Sequence, residues 1–188
     1  MDQVTKPLNA RIFAREQSDH YVEPTWTSAR LFQVEKFEGS IVDPACGWGT
    51  IVIEARRAGY NAAGSDIVDR GFDSTRTPSD FLASTTVFDN IVTNPPFDIA
   101  PQFITHAVKH TRRKVAAIFL VRRLPAASWL RALPLARVLL LTPRPSMPPS
   151  SHIKAGGKVG GGTQDFCWLV IDHDHQGEPS IGWLRRAG

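Results

Sequence analysis

The run Phe88–Asn94 (FDNIVTN) stops against two consecutive prolines, Pro95 and Pro96, with Phe97 behind them. Proline fixes φ and has no N–H, so the pair ends a strand and holds the residue before it extended. A buried strand can therefore run to Asn94 and no further. Around it, short apolar runs alternate with helical stretches. Ser40–Asp43 reads as a strand ending at an acid and a glycine-rich turn, and Thr50–Gly59 as a helix closed by Gly59. Asn61–Ile67 is a second strand and Asp80–Ser84 a short third, before Phe88–Asn94 as the fourth. Ala100–Thr111 reads as a helix with Phe103, Ile104, Ala107 and Val108 on one face. Lys114–Val121 is a buried strand, Pro125–Leu133 a helix, and Ala136–Thr142 and Asp165–Asp172 the last two strands. This alternation predicts an α/β domain with a mainly parallel sheet, closed by an antiparallel hairpin.

At 188 residues the chain is expected to form a single domain, 1–188, with an arm over 1–20. Residues 142–164, rich in Pro, Gly and Ser, read as a long mobile basic loop. No apolar run approaches the roughly 18–20 residues that span a bilayer, and the N-terminus has no signal-peptide core. Cys46 and Cys167 are far apart and lack metal-ligand spacing, which fits a reducing, cytoplasmic setting and no metal. Charge is segregated. Ile99–Gln164 carries 11 Lys and Arg and no acid, whereas Met1–Asp98 carries 9 against 14 Asp and Glu. Such a basic face suits a phosphate backbone. Arg112–Lys114 precede a strand and are expected as solvated surface away from the site. Arg122, Arg123, Arg144, Lys154 and Lys158 fall on the site side and are the candidate phosphate contacts.

The segment Asp43–Thr50 (DPACGWGT) places a strand end, glycines 47 and 49, and a helix in succession. That order holds nucleotide-like ligands, although neither a phosphate loop nor the full Rossmann glycine fingerprint is present. Asp66, 23 residues after Asp43, ends the second strand and can accept from two ribose hydroxyls. With Asn94–Phe97 downstream, these segments resemble the motifs of S-adenosylmethionine-dependent methyltransferases of the amino-group, N6-adenine DNA branch. Tyr21–Trp26 (YVEPTW) resembles that branch's N-terminal cofactor motif, and Ser79–Leu82 its adenine-contacting segment. The resemblance implies a Rossmann-like class I methyltransferase fold with a mainly parallel seven-stranded sheet. It implies S-adenosylmethionine as cofactor, with Asp43 near the methionine moiety and Ala45, Cys46, Gly47 and Gly49 along it. Asp66 and Ile67 would lie at the ribose, Asp80 and Phe81 at the adenine, with Tyr21, Pro24, Thr25 and Trp26 closing the pocket. Trp48 departs from the small residue common between those glycines. Members of the branch carry a target-recognition domain, for which this sequence has no separate segment.

Asn94, Pro95, Pro96 and Phe97 are the catalytic candidates. An exocyclic amine on an aromatic ring is a poor nucleophile because its lone pair is delocalised. The Asn94 side-chain oxygen and the Pro95 carbonyl can accept its two hydrogens and favour a pyramidal nitrogen, while Phe97 offers a stacking face. The expected activity is methylation of adenine N6 in DNA, with the base flipped from the duplex. The acid-free stretch favours nucleic acid over protein, and DNA is favoured over RNA through the resemblance. RNA base amines, a protein glutamine amide and a non-catalytic nucleic-acid-binding role are the alternatives. His106 and His110 read as helix-surface histidines.

Overall fold

The computed structural model describes residues 20–72 and 79–187; the expected N-terminal arm lies outside them except for His20. Helix α1 (Thr25–Val34) is followed by β1 (Ile41–Asp43), α2 (Thr50–Arg57), β2 (Ala62–Gly64) and β3 (Phe88–Thr93). Helix α3 (Ala100–Lys109) leads to β4 (Thr111–Leu120), β5 (Leu135–Thr142), a short helix α4 (Ser150–Lys154), β6 (Phe166–Asp172) and β7 (Ser180–Arg185). The seven strands form one sheet in the order β2-β1-β3-β4-β6-β5-β7. β2, β1, β3 and β4 run parallel; β6 is antiparallel to both β4 and β5, and β7 is parallel to β5.

The uninterrupted apolar runs of β4 and β6 follow from burial on both faces. Along β4, Ala116, Ile118 and Leu120 face the layer of α1 and α2, while Val115, Ala117 and Phe119 face the layer of α3. Along β6, Phe166, Trp168 and Val170 point to the first layer and Cys167, Leu169 and Ile171 to the second. Trp168 is fully buried, and its indole N–H donates to the Thr27 carbonyl at 3.1 Å, tying α1 to the sheet centre.

Three sequence expectations are corrected. Asp80–Ser84 is not a strand: Phe81–Ala83 forms a 3-10 turn in which Asp80 Oδ1 accepts from Leu82 N–H at 2.9 Å. The strand count of seven is instead completed by β7 at the far edge. Pro125–Leu133 is not one helix but parts of two 3-10 turns, Val121–Ala126 and Ser128–Ala132, because Pro125 interrupts an α-helical ladder. The segment 142–164 is not simply a loose loop. Pro145, Met147, Pro148, Pro149 and Ser150 are buried, and α4 follows them. Arg112 and Arg113 are exposed and outside the cleft lining, as expected, and each is ion-paired, Arg112 with Asp89 at 3.2 Å and Arg113 with Glu38; the half-buried Lys114 pairs with Asp172 at 3.2 Å and Glu35 at 3.5 Å.

β1 neighbours both β2 and β3, and the connections leaving β1 to α2 and leaving β3 to α3 go to opposite faces of the sheet, so they diverge at the carboxyl ends of the two strands. That divergence is where open α/β sheets form a crevice. Trp168→Phe removes the buried indole donor to the Thr27 carbonyl and the volume of its second ring from a fully buried site, which is expected to cost about 2 kcal/mol of folding free energy in urea titration.

Candidate functional site

The loop between β1 and α2 is shaped by two glycines in the left-handed region, Gly47 (φ 53°) and Gly49 (φ 79°), the latter capping α2. A Cβ on Gly47 would sit 2.1 Å from the His20 ring, and one on Gly49 2.1 Å from the Phe72 ring, so neither position admits a side chain. Asp66, after β2, holds this loop: its Oδ2 accepts from Gly47 N–H at 2.9 Å and its Oδ1 from Val68 N–H at 3.0 Å.

At the end of β3 the corner Asn94–Phe97 is braced from two sides. Both amide hydrogens of Asn94 are engaged, one by the Tyr21 carbonyl at 3.1 Å and one by Glu23 Oε2 at 2.9 Å. The Asn94 Oδ1, also buried, has no hydrogen-bond partner. Buried acceptors are rarely left in this state. From the other side, the Arg123 guanidinium donates to the Phe97 carbonyl and lies 3.9 Å from Asp98 Oδ1. Phe97 is stacked by Tyr21 at 5.6 Å and flanked by Phe166 at 5.5 Å. The ring expected to offer a stacking face to a base is thus already in an aromatic cluster.

Two buried carboxyls stand beneath this corner. Burial pushes Glu23 up to about 7, against the pull of its bonds to Asn94 and Thr50. Asp43, 1% exposed, is pushed well above the usual carboxylate range by burial, and by the charges of Glu23 and Asp66, despite bonds that include one from Ala45 N–H.

The cleft opens over the carboxyl ends of β1, β2 and β3. Of the expected cofactor residues, Tyr21, Ala45, Cys46, Asp66, Ile67, Asp80 and Phe81 line it, as do Asn94 and Pro96. Asp43, Gly47 and Gly49 lie beneath the surface. Pro24 and Thr25 form the start of α1, where Trp26 packs against the core, and Pro95 is buried. Sequence reasoning passed over Glu23, although it stands inside the quoted YVEPTW; an acid directly before a proline was the available signal. His20, Thr50 and Arg70 were also missed as lining residues. Trp48 sits at the cleft, edge-on to His20 at 5.6 Å, with Lys154 Nζ 5.7 Å from its ring centroid.

The basic candidates separate. Arg144 is held by Asp165 through two hydrogen bonds of 2.7 and 3.1 Å, and Arg123 by the corner itself. Arg122, Lys154 and Lys158 are exposed. Among the described residues no cluster of three or more His, Cys, Asp or Glu could hold a metal, and no helix is long and apolar enough to cross a membrane.

A carboxyl raised from 4.5 to about 7 leaves folding unpenalised below pH 4.5 and weakens it as pH climbs through 7. Glu23→Gln removes this penalty. Urea unfolding of the wild-type protein should lose roughly 2–3 kcal/mol more than the variant between about pH 5 and pH 8.

No protein-family model and no curated protein matches the sequence. Solved structures do match in three dimensions. A candidate RNA methyltransferase of Pyrococcus horikoshii superposes with a TM-score of 0.62 at 15% identity, over 87% of this chain and 93% of that one. The modification subunit of a candidate type I restriction enzyme of Vibrio vulnificus gives 0.57 at 15% identity, over 90% of this chain and 47% of that one. Magnesium protoporphyrin IX methyltransferase of Synechocystis, solved with S-adenosylmethionine bound, gives 0.53 at 17% identity, over 77% and 75%. At these identities the likeness is one of fold. The chain has the α/β, Rossmann-like fold of the class I methyltransferases, with a seven-stranded mixed sheet and an antiparallel β5–β6 hairpin.

Proposed function

We propose that this chain is an S-adenosylmethionine-dependent methyltransferase acting on the exocyclic N6 amine of adenine in DNA. The observation that carries the reading is the Asn94 carboxamide, whose hydrogens are both held by protein acceptors while its buried oxygen is without a partner at a cleft-lining residue. An acceptor in that state suits an N–H donor from a substrate. A hydroxyl substrate supplies one such hydrogen, and a primary aromatic amine supplies two.

The residues present fit the cofactor. Asp66 retains acceptor capacity beyond its two backbone bonds and lines the cleft with Ile67, as ribose contacts require. Ala45 and Cys46 would lie along the methionine moiety and Asp80 and Phe81 near the adenine. Asp43, beneath the loop, would act through Ala45 rather than by contact. Bound there, S-adenosylmethionine supplies an electrophilic methyl on a sulfonium.

The chain's own part is to prepare the amine. Asn94 Oδ1 and the Pro95 carbonyl accept its two hydrogens, draw its lone pair out of conjugation and stabilise the positive charge that develops on nitrogen. Fixed acceptors of this kind contribute on the order of 3 kcal/mol each, by analogy with oxyanion holes. The prolines and the Arg123 contact keep the acceptors from drifting, since a misplacement of about 1 Å can cost on the order of 100-fold in rate. Arg122, Lys154 and Lys158 are the phosphate contacts in this reading, with Lys154 and Trp48 marking the mouth of the cleft. The fold shared with a restriction modification subunit supports DNA, and that shared with a candidate RNA methyltransferase makes RNA base amines the second reading.

Tritiated methyl transfer to DNA, RNA and protein, followed by nucleoside analysis, tests the substrate; label in N6-methyl-2′-deoxyadenosine from DNA is expected, and absence of transfer to any nucleic acid overturns the reading. Asn94→Ala should lower transfer by about 100-fold or more while S-adenosylmethionine affinity by calorimetry stays within about twofold. In Lys154→Ala/Lys158→Ala, the slope of log affinity against log salt for duplex DNA should flatten by about 2.

A further inference from the structure

A carboxamide has two orientations that exchange its oxygen and its NH2 by a half-turn about the last side-chain bond. For Asn94 only one of them leaves an acceptor over. On the side facing the start of the chain, the Tyr21 carbonyl and the Glu23 carboxylate are both acceptors, and they receive the two amide hydrogens at 3.1 and 2.9 Å. The reversed orientation would set Oδ1 against these two oxygens and leave NH2 at the position where no protein acceptor meets it, a donor in place of the acceptor an amine's hydrogens need.

We propose that Glu23 is a positioning residue that, with the Tyr21 carbonyl, locks the Asn94 carboxamide so that Oδ1 is the acceptor offered to the substrate amine. The inference rests on the amine-methylating reading for its catalytic half and on geometry alone for the orientation.

Glu23 is built for this task. Pro24 behind it favours extended backbone at position 23, which puts the Tyr21 carbonyl and the Glu23 side chain within reach of the same amide. The segment is pinned in turn by Val22 N–H to the Pro148 carbonyl at 3.0 Å and Ser150 N–H to the His20 carbonyl at 3.1 Å. Thr50, at the start of α2, also bonds Glu23, so the carboxylate is held between the glycine loop and the end of β3. An ionised carboxylate accepts only, and its lock on the amide is one-way. Once protonated it carries a hydrogen that the reversed Asn94 Oδ1 could accept, and the lock weakens. The charged and titratable groups near it are Asp43 from β1, and His20, Asp66, Arg70 and Asp80 around the same cleft.

The test has two readouts. In ¹⁵N-labelled protein the Asn94 side-chain NH2 signals, identified by their loss in Asn94→Asp, should titrate with a midpoint near 7. In Glu23→Gln that titration should vanish while the signals stay protected from solvent exchange. In kinetics, Glu23→Ala should lower kcat by about 30-fold with the cofactor KM within about twofold, and Glu23→Gln, which like the protonated acid carries both donor and acceptor, should recover only part of the loss and flatten the pH profile between about pH 6 and 8. Asn94 signals that titrate alike in wild type and Glu23→Gln, or wild-type kcat in Glu23→Ala, would overturn the proposal. Absence of methyl transfer by the wild-type protein would sink the amine-methylating reading, while the Asn94 titration would still decide whether Glu23 sets the amide.

Discussion

The site depends on one side-chain amide whose two hydrogen bonds reach 73 and 71 residues back along the chain. Asn94 ends the strand that the prolines stop, and Tyr21 and Glu23 precede the first helix. Their contact closes the α1 layer onto the sheet at the point where β1 and β3 part. Without it the corner would still be rigid, because the prolines see to that, but the orientation of its amide would be undetermined. Rigidity and orientation come here from different parts of the sequence.

The sheet beneath supplies the fixed frame. Strands β4 and β6 alternate between two apolar layers without a polar residue from Val115 to Leu120 or from Phe166 to Ile171. A frame packed on both faces has little freedom to bend, since closely packed interiors transmit displacement rather than absorb it. The short strands β1 and β2 lean on it through β3, so the carboxyl ends that carry Asp43, Asp66 and Asn94 keep their spacing. At the opposite ends of the strands the buried Glu35 is shared by Lys114 and Arg137. The basic run that opens β4 is therefore part of the scaffold.

What could be read from the sequence was what is encoded locally. Gly47 and Gly49 announce a turn because only glycine sits easily at their φ, and Pro95-Pro96 announce an ending because proline cannot continue a ladder. Features that depend on distant partners were not legible. Glu23 looks like any acid until Asn94 arrives beside it. Strand β7, with Ile181 and Trp183 exposed and only Leu184 buried, has a weak pattern because an edge strand hides little of itself. The stretch over 142–164 departs from a loose loop because proline is apolar as well as a breaker, and Pro145, Pro148 and Pro149 are buried with no N–H to satisfy. Charge misled in the same way. A segment free of acids in sequence is not free of them in space, since Asp98 and Asp165, one residue outside either end, come back to meet Arg123 and Arg144.

The pairing of Tyr21 with Pro149 looks like a minor bridge between two loops. Yet it joins the backbone that supplies an acceptor to Asn94 to the backbone that leads, five residues on, to Lys154 beside Trp48. Position at the rim and orientation at the centre are thereby coupled variables, linked by a handful of main-chain bonds. A shift of the rim segment would therefore bear on the same carbonyl that receives the Asn94 amide.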